Sequence, residues 1–352
     1  MGTILSIITF ILMLGILIFV HEFGHFITAK KSGVHIHEFA IGMGPLIKTI
    51  EGKDGIKYSI RALPIGGFVQ MAGEVYEDDD TNKIPKDKFM CNKPWWQRLI
   101  ILCAGVFNNF LLAIIILFFL ALFVDVAAVS PVIKEVAKDS PIAAAGIVAG
   151  DKIVEVDGTK TPSWDKATLL LSIDEEKTEY DITVKHKNGK KDTYKVKADI
   201  VEKEKGVKSK FFGISIGAQG KGFKNAIKYA FQKFYATIDQ MFYTVINLFT
   251  GKISINALSG PVGIYEVVDE SRKTGMSNVV FLTAYLSINL GLMNILPIPA
   301  LDGGHVLFVL IELITRKKVN EKVEAITTTI FFCLLMLLML YVTIHDIIRL
   351  IF

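Results

Sequence analysis

Four long apolar runs, Thr3 to about Thr28, Leu99 to Val124, Ser277 to Leu301 and Ala325 to Ile344, constrain this chain more than any other feature. Lipid offers no water to backbone N–H and C=O groups, so only helices and closed barrels cross it, and runs of this length select helices. As helix, each run spans roughly 30 Å. The runs predict a polytopic α-helical membrane protein with four transmembrane helices. With 21% of its 352 residues charged, the chain also places a substantial part outside the lipid. The first run lacks the basic residues and small-residue cleavage site of a secretion signal and is expected to be retained.

Orientation is set by lysine and arginine in the short connections, which stay cytoplasmic. The Lys30 to Lys93 segment carries ten of them, and Arg316, Lys317, Lys318 and Lys322 come after the third run, whereas no basic residue precedes the first run and only Arg349 comes after the fourth. Both termini are therefore expected to be extracytoplasmic. So is the segment from Asp125 to Gly275, because long domains translocate largely regardless of charge. Its lysines alternate with Asp and Glu and form no basic stripe, which argues against a nucleic-acid partner. Cys91, Cys103 and Cys333 have no partner at metal-site spacing and imply no disulfide framework.

The first run ends in His21-Glu22-Phe23-Gly24-His25. Two imidazoles and a carboxylate at membrane depth are costly without a task. Residues four apart share a helix face, so His21 and His25 can hold one metal ion while Glu22 stands beside it to handle a proton. This is zinc-hydrolase spacing, read against the plainer alternative of a polar surface turn.

A catalytic zinc needs a third protein ligand and an open position. The third run reads Asn294-Ile295-Leu296-Pro297-Ile298-Pro299-Ala300-Leu301-Asp302-Gly303-Gly304-His305. Pro297 and Pro299 cannot continue a helix, and the glycine pair loosens the turn after Asp302, so the backbone should break at depth, where it must line protein or a cavity. That offers Asp302 as third ligand, with Asn294 nearby as a hydrogen-bond donor. Taken alone, Asp302 equally suits a cap of the next helix and Asn294 a helix–helix hydrogen bond. His305 ranks below Asp302 as a ligand and reads as a polar residue of the next cytoplasmic loop.

The pentad, the Asn294–Gly303 motif and the order of the two resemble the site-2 intramembrane zinc metalloproteases, more narrowly their bacterial RseP/RasP type with a single PDZ domain. Gly42-Met43-Gly44-Pro45, Leu63–Glu74 and Leu258-Ser259-Gly260-Pro261-Val262-Gly263-Ile264 extend the likeness over nearly the whole chain. The resemblance implies that His21, His25 and Asp302 bind Zn²⁺, that Glu22 is the catalytic carboxylate and that Asn294 assists at the substrate or oxyanion. One departure is Val106, where the family commonly has proline, which bears on the local shape of the second span; Asn109 still occupies the matching polar position.

The segment 30–96 is expected to be a cytoplasmic loop, with apolar stretches around Pro45–Ile50, Ile56–Arg61 and Leu63–Met71 that suggest a hairpin or small sheet. An ordinary cytoplasmic hairpin is the alternative. The resemblance implies a sheet dipping into the membrane, whose free edge, at Gly66, Gly67, Phe68 and Val69, would hold an unwound substrate by strand addition. Glu77–Asp80 reads as a solvated acidic loop and Pro94-Trp95-Trp96 as an interfacial anchor.

With Pro131–Val136, Ser140–Ile147 and Gly150–Gly158, residues 125–218 resemble a circularly permuted bacterial PDZ domain, with Phe212, Gly213 and Ile214 at its peptide-binding loop; it would bind an extended peptide or act as a steric gate. Residues 219–276 read as an amphipathic interfacial helix and linker, because Phe223, Ile227, Phe231, Phe234, Ile238, Phe242, Val245 and Phe249 recur at helical spacing. The expected organisation is thus 1–29 first span, 30–96 loop, 97–124 second span, 125–218 PDZ-like α+β domain, 219–276 interfacial helix and linker, 277–303 third span, 304–324 cytoplasmic loop, and 325–352 fourth span with the C-terminal tail.

Together these features point to a multi-pass zinc endopeptidase of the bacterial cytoplasmic membrane that cuts a transmembrane segment of another protein, such as an anti-sigma factor or a signal-peptide remnant. A transporter would also place His, Asp and Asn in a broken-helix site, but it has no use for Glu22 beside the first histidine. A PDZ scaffold with an inert anchor would need no metal.

Overall fold

The computed structural model describes residues 2–73, 84–174, 176–202, 208–253 and 258–351; the acidic run Glu77–Asp80 lies outside them. The chain forms two compact units, Met1–Ala113 with Leu258–Phe352, and Ile114–Ala257.

In the first unit, helix α1 (Gly2–Lys31) leads into two long bent strands, β1 (Ile36–Glu51) and β2 (Lys57–Met71). The pairing runs antiparallel from Ile36↔Met71 to Met43↔Leu63 and from Leu46↔Arg61 to Glu51↔Lys57, while Glu38–Ile41 also lines up with Lys57–Ile60. The two strands thereby build a sheet of four segments in the order 46–51, 57–61, 36–43, 63–71, leaving 63–71 at one edge. One part of this sheet packs Ile36, Phe39, Val69 and Met71 against Phe26 and Ala29 of α1. Elsewhere Ile41, Met43, Leu46, Ile47, Ile50, Ile60 and Leu63 are exposed, an apolar surface larger than a solvated hairpin tolerates. Two 3₁₀ turns, Lys86–Lys88 and Met90–Asn92, precede α2 (Trp95–Phe123), which begins at the exposed pair Trp95 and Trp96.

In the second unit, β3 (Ile133–Val136), α3 (Pro141–Ala145), β4 (Lys152–Val156), β5 (Thr159–Lys160), α4 (Trp164–Ser172), β6 (Glu179–Lys185), β7 (Lys191–Lys197), β8 (Asp199–Glu202), β9 (Lys208–Phe211) and β10 (Ile214–Ile216) precede the long helix α5 (Phe223–Phe249). One sheet has the order β5-β4-β6-β7, and β10-β3 and β8-β9 form two-stranded sheets. Alternation along β6 buries Tyr180, Ile182 and Val184 against Ile133, Ile142, Ile153 and Leu171. Phe212 is part of this core, 5.6 Å from the Tyr180 ring. Helix α5 turns Ala226, Tyr229, Ala230, Phe234, Ala236 and Thr237 inward and leaves Phe223, Ile227, Phe231, Phe242, Ile246 and Phe249 exposed. Lys233 pairs with Asp165 of α4 at 2.5 Å, and Lys166 reaches Asp239 of α5 at 3.2 Å.

The first unit resumes with α6 (Pro261–Thr274), α7 (Met276–Ile295), α8 (Asp302–Thr315) and α9 (Glu321–Ile351). Helices α1, α2, α7 and α9 are long and apolar enough to cross a membrane. Two differences from the sequence reading stand out. Residues 304–324, read as a loop, hold most of α8; its apolar run is too short for a span, yet it buries Phe308 and Val309 and ties Glu312 to Arg98 of α2. Part of the stretch read as a linker is α6, whose Gly260 and Gly263 amides both donate to Asp346 Oδ2 of α9, at 2.8 and 2.9 Å. That carboxylate satisfies N–H groups that a helix start otherwise leaves orphaned.

Candidate metal centre

Helix α1 carries His21 and His25 one turn apart, both only 6% exposed. Helix α7 stops at Ile295 because Pro297 has no N–H to give and its ring opposes a continuing helix. A tight turn comes next, with Ile298 N–H donating to Leu296 O at 2.7 Å and Leu301 N–H to Ile298 O at 2.8 Å, and α8 starts at Asp302. The glycine pair after Asp302 does not loosen the backbone. A Cβ on Gly303 would lie 2.3 Å from the Ile295 and Leu296 carbonyl oxygens, and one on Gly304 2.3 Å from Ile298 O, so their small size lets α8 fold back against the end of α7.

Asp302 Oδ2 consequently lies 3.0 Å from His21 Nε2 and 3.3 Å from His25 Nε2, and the two Nε2 atoms are 3.2 Å apart. Among the described residues these three are the group of side chains whose ligand atoms converge tightly enough to hold a metal ion. Tetrahedral zinc with bonds of about 2.0–2.2 Å needs ligand atoms about 3.3–3.6 Å apart, so the triangle is slightly tight but of the right kind. Its chemistry points the same way. His25 Nδ1 donates to the Ile101 carbonyl at 2.8 Å, which leaves Nε2 with its lone pair aimed at a carboxylate oxygen and a second imidazole. Such electron-rich atoms repel one another unless a cation lies between them.

Helix α2 forms the floor of this cluster. Ile101, Gly105 and Asn109 recur at helical spacing, and a Cβ on Gly105 would lie 2.4 Å from His25 Nε2 and 2.7 Å from His21 Nε2. Only a bare backbone leaves room there. Sequence reading missed Gly105 and Ile101 altogether. The one available signal was their i, i+4, i+8 alignment with Asn109, which acquires meaning only after α1 is known to cross α2 at this point.

The remaining predicted residues divide. Asn294 Nδ2 lies 3.4 Å from His21 Nε2, at the edge of the cluster. The Glu22 side chain lies beside the edge segment 63–71. Gly67 passes the same side chain, so close that a Cβ there would lie 3.4 Å from Glu22 Cγ and 2.9 Å from Ala40 O. Gly66 abuts Met43, while Phe68 turns away to stack under Arg61, whose guanidinium carbon is 4.8 Å from the ring centre. Phe212, Gly213 and Ile214 belong to the other unit. The Phe212 side chain packs into that unit's core, and Gly213 O already accepts the Ala137 amide at 2.8 Å. His305 lies outside this converging group, with its Nδ1 3.1 Å from Glu324 Oε1. The thiols of Cys91, Cys103 and Cys333 are free.

The family model described as peptidase family M50 matches residues 9–338. The Regulator of sigma-W protease RasP of Bacillus subtilis is 33% identical, covering 98% of this chain and 99% of its own length. The zinc metalloproteases RasP of Bacillus licheniformis and Shouchella clausii are 34% and 32% identical, each again over 98% of this chain and 99% of the relative.

Proposed function

The chain belongs to peptidase family M50 and is a membrane-embedded zinc metalloprotease, and from that premise we propose that it hydrolyses a peptide bond within a transmembrane segment of another membrane protein. The convergence of His21, His25 and Asp302 on one point, with Glu22 in the same helical turn, is the observation that carries this reading. These three side chains would hold the zinc ion, which when bound would supply Lewis acidity toward a scissile carbonyl and a water molecule. Glu22 takes a proton from the attacking water and returns it to the leaving amine. Asn294 donates its amide to the oxygen that gains charge during attack.

The substrate must reach this site as an extended chain, because a helix keeps its peptide bonds inside its own hydrogen bonds. The edge segment 63–71 supports strand addition at Gly67 and Val69, beside Glu22, and the exposed apolar residues of its sheet support immersion in lipid. The strand and helix order of residues 125–218 supports a permuted PDZ-like domain, with the loop of Phe212, Gly213 and Ile214 as its contact with a peptide. The exposed apolar stripe of α5 supports a helix lying on the membrane surface within 219–276. Lys30 and Lys31 at the end of α1, and Arg316 to Lys318 after α8, support a cytoplasmic position for the site's side of the membrane and extracytoplasmic termini. The RasP name ties the Bacillus subtilis relative to sigma-W regulation, so an anti-sigma-type membrane protein is the favoured substrate class, with signal-peptide remnants as the second.

The test is cleavage of a panel of fluorescent transmembrane peptides by the purified full chain, wild type against Glu22→Gln, with chelation and zinc add-back. Cleavage by wild type that is lost on chelation, restored by zinc and absent in a zinc-loaded Glu22→Gln protein is the expected result. Undiminished cleavage by Glu22→Gln, or by metal-free protein, overturns the reading.

A further inference from the structure

Asn109 is fully buried on α2, and its side-chain amide lies 3.2 Å from His21 Nδ1. The carbonyl end of that amide has no hydrogen-bond partner in its present orientation. Leaving a buried polar atom unpaired costs stability, which an apolar residue at this wholly enclosed position would avoid. Its placement is also fixed from the other side, since Ser287 Oγ of α7 donates to the Asn109 backbone carbonyl at 2.7 Å. Two helices thus hold this amide against one imidazole.

The chemistry of that imidazole decides which end of the amide faces it. His21 presents Nε2 to the cluster, so a metal held there requires a lone pair on Nε2 and the ring proton on Nδ1. The group next to Nδ1 must then accept a hydrogen bond. The oxygen and nitrogen of an asparagine amide are nearly isosteric, and a half turn about the last side-chain bond brings the oxygen to Nδ1. His25 has the corresponding partner about two turns earlier on the same face, where the Ile101 carbonyl accepts from Nδ1 at 2.8 Å. The same helix would therefore orient both rings, with a backbone carbonyl eight residues before a side-chain carbonyl.

We propose that Asn109 is a positioning residue for the metal centre: its amide oxygen accepts the Nδ1–H of His21, fixing the tautomer and ring angle that aim Nε2 at the metal. This rests on the zinc reading above. It gives the buried asparagine a task in the protein's own chemistry and predicts which substitutes can replace it. An aspartate retains the acceptor and makes the carboxylate–histidine–metal arrangement that often supports zinc ligands. Leucine has similar bulk and cannot accept.

The experiment measures zinc affinity of the detergent-purified full chain by chelator competition, together with the visible spectrum of the cobalt-substituted protein, for wild type, Asn109→Asp, Asn109→Leu and Asn109→Ala. Loss of an outer-shell partner weakens metal binding about 10–100-fold. That loss is expected for Leu and Ala, while Asp stays within about threefold of wild type and keeps its cobalt spectrum. Should Leu fail to fold, as judged by helix content, Ala against Asp decides. Wild-type affinity in both Leu and Ala overturns the proposal, and so does an Asp variant as weak as Ala, because the amide would then be donating to His21. Zinc binding by wild type with no loss in the variants sinks this inference alone, whereas no zinc binding by wild type sinks the metal reading with it.

Discussion

Substituting Gly105 with alanine should disable the metal centre while leaving the helices intact. The added Cβ would sit 2.4 Å from His25 Nε2 and 2.7 Å from His21 Nε2, against an ordinary carbon contact of about 3.5 Å, so one side must yield by about 1 Å. Neither ring is a loose end that can swing aside freely. His25 is held through Nδ1 to Ile101 O, and His21 lies against Asn109 and Asn294. Zinc–ligand distances tolerate only about 0.2 Å, and losing a single outer-shell partner already costs about 10–100-fold in affinity. With both histidines displaced, zinc affinity should fall by at least about 100-fold, near 2.8 kcal/mol at about 1.4 kcal/mol per tenfold. Helix formation works in the opposite direction, since alanine favours a helix over glycine by about 1 kcal/mol, which partly offsets the strain. The assay is metal content and chelator competition on detergent-purified protein, with circular dichroism for helix content. A Gly105→Ala protein that binds one zinc with wild-type affinity and cleaves substrate normally would refute the packing of these rings against bare backbone.

Three further outcomes rest on other contacts. Asn294→Ala should retain zinc yet lower the cleavage rate constant by about 10²–10³, the usual loss of one oxyanion donor; an unchanged rate constant would remove Asn294 from the reaction. Asp346→Ala removes the acceptor of two buried backbone amides at the start of α6 and should destabilise the protein by about 1–3 kcal/mol per orphaned amide at most, read as a lowered Tm in detergent with zinc content unchanged. The hydrogen bond from Lys30, at 2.6 Å, holds the Asp54 carboxyl down at about 2, below the ordinary carboxylate range. A depressed carboxylate stabilises the folded turn above the ordinary value near 4 and loses that contribution as pH falls toward 2, so amide protection around Gly52–Ile56 should fall in that window for wild type and show no such step in Asp54→Asn.

How much of this was legible in the sequence depends on what each feature is made of. The apolar runs declared four helices because lipid imposes a length and forbids charge, and both constraints are written residue by residue. The histidine pair could be placed on one face because a helix repeats every 3.6 residues, and the break after Ile295 because proline lacks an N–H. Helix α8 was hidden for the converse reason. Its apolar stretch is shorter than a span, two glycines stand in its first turn, and only its packing beneath α2 makes a helix the stable choice, with Arg98 on Glu312 at the far end.

The least legible part of the centre is the face of α2, and its chemistry explains why. Ile101 contributes a backbone carbonyl, which any residue would supply, and Gly105 contributes the absence of a side chain. Neither leaves a chemical signature in a one-dimensional string. Asn109 does, but an asparagine in an apolar helix usually reads as a helix–helix hydrogen bond, and it does make such a contact through its backbone with Ser287. The converging side chains could be picked out by asking what can bind a metal; the supporting face required knowing that α1 crosses α2 closely enough for two imidazoles to rest on a glycine. A residue set that is nearly featureless in sequence therefore borders the converging side chains, and Gly105 and Asn109 test the support of the centre separately from His21, His25 and Asp302.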